Sequence, residues 1–152
     1  MEWQLAGNYG VHLMTWNAGA VYANIVSTAG THHVLISSPG VIAANEYQHL
    51  ALRYDQTSGL GSLFVNGLSV AELNFGTFTP RTDTELRIGF RPNTTPFGPL
   101  PFLGQIDEVT LYNSALSNDD MLALAAVPEP ATGTLILIGV GGWLGRLRFY
   151  KR

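Results

Sequence analysis

Cysteine is absent from the 152 residues. No disulfide framework, cysteine-ligated zinc site or thiol nucleophile is available to this chain. A domain with a sizeable core does not need disulfides, so the absence leaves an extracytoplasmic location open. Charge is scarce too. Only 12% of residues are Asp, Glu, Lys or Arg, against about 25% in an average globular protein. The few charges are unevenly spread. Residues 1–130 hold all 11 acids against four bases (Arg53, Arg81, Arg87, Arg91), hence −7, and residues 131–152 hold no acid and four bases, hence +4. An acidic main part with four scattered arginines excludes a basic nucleic-acid-binding stripe. No Gly-rich phosphate loop stands between a strand and a helix. Hydrophobic residues, by contrast, make up 46%, and 17 glycines and 8 prolines stand beside them. The length allows one compact domain and little more.

The apolar residues recur mostly with a period of two, which is the strand period. Over residues 48–54, Leu50, Leu52 and Tyr54 fall on one face and His49, Ala51 and Arg53 on the other. A turn follows at 54–59. Residues 62–65 and 68–73 flank Asn66-Gly67, a strong hairpin signal because both positions accept positive φ. Strands are expected at 85–90 and 105–112, and at 11–16, 20–27 and 33–37. Residues 91–101 contain Pro92, Pro96, Pro99 and Pro101 and read as a loop. Ser117-Asn118-Asp119-Asp120 fits a capping box before the short apolar run 121–125. About eight strands separated by turns predict an all-β sandwich.

Five short motifs stand in order: His49-Leu50-Ala51-Leu52-Arg53-Tyr54-Asp55, Leu63-Phe64-Val65-Asn66-Gly67, Leu86-Arg87-Ile88-Gly89, Phe102 through Tyr112, and Ala115-Leu116-Ser117. This series resembles the laminin-G-like, concanavalin A-like lectin/glucanase superfamily over about residues 8–125. The resemblance implies an antiparallel jelly-roll β-sandwich for residues 1–126. It also implies further strands ahead of the position where this chain begins, hence an N-terminally truncated domain. Met1-Glu2-Trp3 carries neither the basic nor the apolar region of a signal peptide. A fragment, a misplaced start or a sheet edge supplied from elsewhere is the expectation.

Glucanase relatives use a signature resembling Glu-x-Asp-x-x-Glu, which sets two carboxylates on one strand face. Here Gln105 stands at the first position and Thr110 at the last, while Asp107 and Glu108 are adjacent and would point to opposite faces. A non-enzymatic domain is therefore expected. Many relatives hold calcium, and the oxygen donors on offer are Asp55, Asn66, Asp107 and Glu108. For Asp107 and Glu108 the ordinary alternative is a hydrogen-bonded pair near a sheet edge. His32 and His33 are adjacent and suit opposite faces better than one metal, with His12 and His49 apart. Tyr9, Trp16, Tyr22 and Tyr47 read first as core, with sugar stacking as their other use.

The last 26 residues, 127–152, form a separate unit. Val127-Pro128-Glu129-Pro130 precedes an uncharged run of 15 residues at 131–145, and Arg146, Arg148, Lys151 and Arg152 close it. As a helix the run spans roughly 22 Å, short of a hydrocarbon core of about 30 Å. Snorkelling of Arg146 and Arg148 extends the membrane helix to about 131–150, with Trp143, Phe149 and Tyr150 in the aromatic belt. The basic end belongs in the cytoplasm and the domain outside. This order of box, helix and basic end resembles the PEP-CTERM sorting signal of Gram-negative bacteria. That resemblance implies an exosortase-like processing enzyme as partner, the membrane as transit site and the cell surface as destination. The expected function is a surface-displayed binding or adhesion module for extracellular polysaccharide or matrix. A structural surface component and, further off, a glycan-active hydrolase are the alternatives. Pro128 and Pro130 keep the box extended and out of the helix. Replacing Glu129 and Pro130 together is expected to block maturation, read as retention of the full-length band in membranes, without preventing insertion. Normal processing of that variant would reduce the tail to a plain anchor.

Overall fold

In the computed structural model, which describes residues 1–5, 7–91 and 100–126, the alternating segments become two facing antiparallel sheets. The larger has five strands in the order β4-β3-β2-β1-β8. These are β1 (Glu2–Leu5), β2 (Asn8–Trp16), β3 (Ala20–Val26), β4 (His32–Ile36) and β8 (Leu86–Arg87). The smaller has three, β5 (Leu50–Asp55), β6 (Leu60–Val65) and β7 (Leu68–Asn74), in chain order. β9 (Phe90–Arg91) and β10 (Leu100–Pro101) form a separate two-strand ladder. The one α-helix among the described residues is α1 (Asn118–Ala125). The all-β antiparallel sandwich expected from the periodicity is therefore present.

The core lies between the two large sheets. Leu13, Val21, Ala23 and Leu35 from the five-stranded sheet meet Leu63 and Val65 from β6, with Leu50, Leu52, Val70 and Phe75 packed around them. The register Leu13↔Ala23↔Leu35 places these three side chains in one row. At one end of the core, His33 stacks on Phe78 with ring centroids 3.9 Å apart, and Phe78 stacks on Tyr54 at 4.5 Å. The Tyr54 hydroxyl donates to the Gly76 carbonyl at 2.8 Å and accepts from the Phe78 amide at 2.9 Å. The end of β5 and the segment after β7 are thereby joined.

The β6–β7 hairpin turns at Asn66 (φ 50°) and Gly67 (φ 76°), as a two-residue turn with two positive φ angles requires. Gly67 is needed for a second reason. A Cβ there would lie 2.8 Å from Leu122 Cα and 2.9 Å from the Met121 carbonyl, because the hairpin tip is packed under α1. The helix starts as expected. Ser117 Oγ accepts from the Asp120 amide at 3.1 Å, and the Asp120 carboxylate accepts from the Ser117 amide at 2.9 Å. The Ser117 hydroxyl, donating to the Asp120 carboxylate at 2.6 Å, and then the Ser117 amide hold Asp120 below the usual carboxylate range. Arg53 ties this start to the sheet. Its guanidinium donates to the Leu116 carbonyl (3.0 Å), Asn118 Oδ1 (2.8 Å) and Ser62 Oγ (3.2 Å), and lies 4.8 Å from the centre of the Phe64 ring.

Three expectations are corrected. The strand expected at 85–90 is two pieces, because Gly89 (φ 73°) breaks the extended course between Arg87 and Phe90. Arg91, Leu100 and Pro101, expected in a loop, belong to the β9–β10 ladder. The strand expected at 105–112 does not form. Glu108 has φ 48°, and its amide donates to Asp107 Oδ1 at 2.8 Å, a local bond that competes with a sheet ladder. Conversely, strand β1 was not foreseen. No helix among the described residues is long and apolar enough to cross a membrane. The expected membrane helix at about 131–150 and the sorting residues Val127, Pro128, Glu129, Pro130, Arg146 and Arg148 lie outside the described residues.

Gly67→Ala is expected to destabilise the fold by more than about 1 kcal/mol, since the new Cβ meets both positive φ and the helix backbone. Ser117→Ala is expected to cost about 1 kcal/mol through loss of the cap. Denaturant midpoints of the full chain check both. Wild-type stability of Gly67→Ala would contradict the packing of hairpin against helix.

Candidate functional site

The face of the five-stranded sheet turned away from the core is set by the same register that builds the core. If Leu13, Ala23 and Leu35 point in, then Met14, Tyr22 and Ile36, which are also cross-strand partners, point out. So do His12 and Asn24, which pair with each other and with Glu2 and Val34. This outer face divides into a closed polar end and an open apolar end.

At the closed end the carboxylate of Glu2 (6% exposed) accepts from Arg91 Nε at 2.6 Å. Arg91 Nη2 donates to His12 Nδ1 at 3.4 Å, and His12 Nε2 lies 3.7 Å from the other Glu2 oxygen. Asn24 Nδ2 donates to His32 Nδ1 at 2.8 Å, and Tyr9 meets the His12 ring edge-on. Arg91 carries β9 onto this end. The Arg81 carbonyl comes so near β2 that a Cβ on Gly10 would sit 2.3 Å from it, so only glycine fits there. Burial, then the Arg91 charge, then His32 and the amino terminus lower the pKa of His12 to about 4. His12 is therefore neutral at pH 7 and accepts from the guanidinium.

At the open end Trp16 (46% exposed) lies beside Tyr22, ring centroids 5.2 Å apart. Ile36 (48%) and Val34 (41%) continue the surface across β4, and Met14, opposite Tyr22, is half-buried. The patch contains no charged side chain. Tyr22 has its pKa raised, chiefly by burial. Trp16, given first as a core residue by composition, is a surface residue. Exposure was the missing information, and only the register supplies it.

The four oxygen donors proposed for calcium are not gathered. Asp55 ends β5, where its carboxylate accepts from the Thr57 amide (2.9 Å) and the Ser58 hydroxyl (2.7 Å). Those bonds hold its pKa below the usual range. Asn66 stands at the opposite end of β6, roughly 17–20 Å along the strand, and its Oδ1 accepts from the His49 amide at 3.0 Å. Asp107 and Glu108 are neighbours on the exposed 105–112 segment. Among the described residues no group of three or more His, Asp or Glu side chains converges as a metal site. Of the positions compared with glucanases, Gln105 accepts a hydrogen bond from the Tyr47 hydroxyl, and Thr110 donates to the Glu108 carbonyl at 3.4 Å. His32 and His33 do face opposite sides: His32 meets Asn24 on the outer face, His33 meets Phe78 on the inner.

A family profile described as concanavalin A-like lectin/glucanases superfamily matches residues 4–121. The chain belongs to this superfamily. No match is found among curated proteins. Among solved structures, a domain (residues 221–444) of an S-layer domain-containing protein from Clostridium thermocellum is similar, with 20% identity and a TM-score of 0.48. That match covers 76% of this chain and 56% of the other, so the chain spans little more than half of that structure's length.

The closed end makes a pH prediction. The folded pKa of His12 is depressed, so the unfolded chain binds more protons between about pH 4 and 6.5. Stability is full above about 6.5 and falls as the pH drops through that window, by up to about 3 kcal/mol from this residue. The unfolding midpoint of His12→Gln is expected to vary less with pH between 6.5 and 4 than that of wild type. Equal slopes would contradict the assignment.

Proposed function

We propose that this chain is a surface-displayed, non-catalytic binding module that takes extracellular polysaccharide or matrix on the open end of the five-stranded sheet. An exosortase-type system acting on residues 127–152 would deliver it. The superfamily assignment supports the lectin side of this reading. The observation that carries it is the uncharged Trp16–Tyr22 pair, with Trp16 exposed and Tyr22 half-buried, set on a rigid sheet rather than a loop. An aromatic pair presents apolar faces to ligand C–H groups at little cost in conformational freedom. The non-catalytic part is supported by Gln105 and Thr110 in place of carboxylates, and by the adjacency of Asp107 and Glu108. Display outside the membrane is supported by the basic end of the tail.

The test is a polysaccharide array probed with the full chain, with and without calcium. Signals restricted to a few glycans are expected. A signal present only with calcium would bring Asp107 and Glu108 into the site. A flat response to every glycan would contradict the binding reading and favour a structural surface component.

A further inference from the structure

The charges around the open end narrow the ligand, an inference that rests on the binding-module reading above. Residues 1–126 contain four arginines, no lysine and 10 acids, hence −6. Every one of those arginines is already engaged. Arg91 is held by Glu2 at 2.6 Å and Arg87 by Glu85 at 2.6 Å. Arg53 is bound to Leu116, Asn118 and Ser62 and lies 3.7 Å from Glu72. Arg81 donates to the Thr28 carbonyl at 3.0 Å. Three of the four, Arg91, Arg87 and Arg53, already have a carboxylate within 4 Å, which a carboxylated or sulfated sugar would have to compete with. An anionic ligand would therefore meet a net-negative domain and a patch that holds no arginine of its own.

The patch itself offers the opposite chemistry. Met14, Trp16, Tyr22, Val34 and Ile36 are uncharged and share one outer surface. Such a surface takes the C–H face of a pyranose ring and leaves its hydroxyls in water. We propose that the open end binds a neutral polysaccharide, with Trp16 as the stacking residue and Tyr22 as its support. Carboxylated and sulfated glycans are refused. A second copy of this chain is the rival occupant, because β4 is an edge strand next to the patch.

The experiment is affinity electrophoresis of the full chain in detergent, in gels containing a neutral β-glucan, a neutral galactomannan, a polyuronate or dextran sulfate, at low and high salt. Retardation by at least one neutral glycan, unchanged by salt, is the expected result. Trp16→Ala should weaken it about tenfold and Trp16→Phe should restore most of it. Both variants should still unfold cooperatively, with Trp16→Ala lowering the midpoint only by the contact it loses with Tyr22. Retardation only by the polyanions, fading with salt, would overturn the neutral ligand class and leave the binding-module reading standing. Neutral binding unaffected by Trp16→Ala would overturn the placement. Absence of retardation in every gel overturns both readings. A dimer of the wild type that Trp16→Ala converts to monomer would then assign the face to a second copy.

Discussion

The structure depends on the pairing register of β2 with β3 and of β3 with β4. With Leu13 opposite Ala23 and Ala23 opposite Leu35, three apolar side chains enter the space between the sheets together. A slip of one residue would send Met14, Tyr22 and Asn24 inward and put the present core into water. The buried polar groups make that slip more costly, since Glu2, His12 and Arg91 are bonded only in the observed register. An uncompensated charge in the core would cost several kcal/mol. The register that secures the core thus also decides which side chains reach the outer face.

The two ends of that face serve different purposes through the same row geometry. Glu2, His12 and Asn24 stand on three neighbouring strands, and Arg91 binds the first two from β9. Two residues along the strands from His12 and Asn24, the row of Met14 and Tyr22 has no such cover, and Trp16 and Ile36 are left half-exposed. The second sheet supports this face from behind. Leu63 and Val65 pack on its inner side, and the three-stranded sheet is in turn held by Arg53 and α1. Both sheets behind the aromatic pair are therefore anchored, so a ligand meets a preformed surface.

Much of this was legible in local chemistry. Asn66-Gly67 announced its hairpin because few dipeptides accept two positive φ angles. Ser117 and Asp120 announced the start of α1 because a capping box is a short-range device. The alternation at 48–54 put Leu50 and Leu52 on the core side, where they lie. The failures share one cause, which is that strands need neighbours. The 105–112 segment alternates well enough, but a pattern does not contain the partner, and Glu108 takes a left-handed conformation instead. The face of Trp16 was hidden for a related reason: which side of β2 meets the core follows from the pairing of the whole sheet and its packing on β6, and composition does not contain it. The Glu2–Arg91 bond spans 89 positions, and nothing near either residue signals it. The four oxygen donors do not lie together, because residues close in sequence, such as Asp55 and Asn66, are separated by a whole strand.

The central claim is that ligand contact occurs on the outer face of the five-stranded sheet at its open end. Backbone amide NMR of the full chain in micelles, titrated with an oligosaccharide of the glycan it binds, tests this directly. The account predicts that shifts concentrate in residues 14–16, 20–22 and 34–36, with the indole N–H of Trp16 among the largest. Shifts concentrated in residues 105–112, or around Asp55 and Asn66, with 14–16 and 20–22 unmoved, would contradict it.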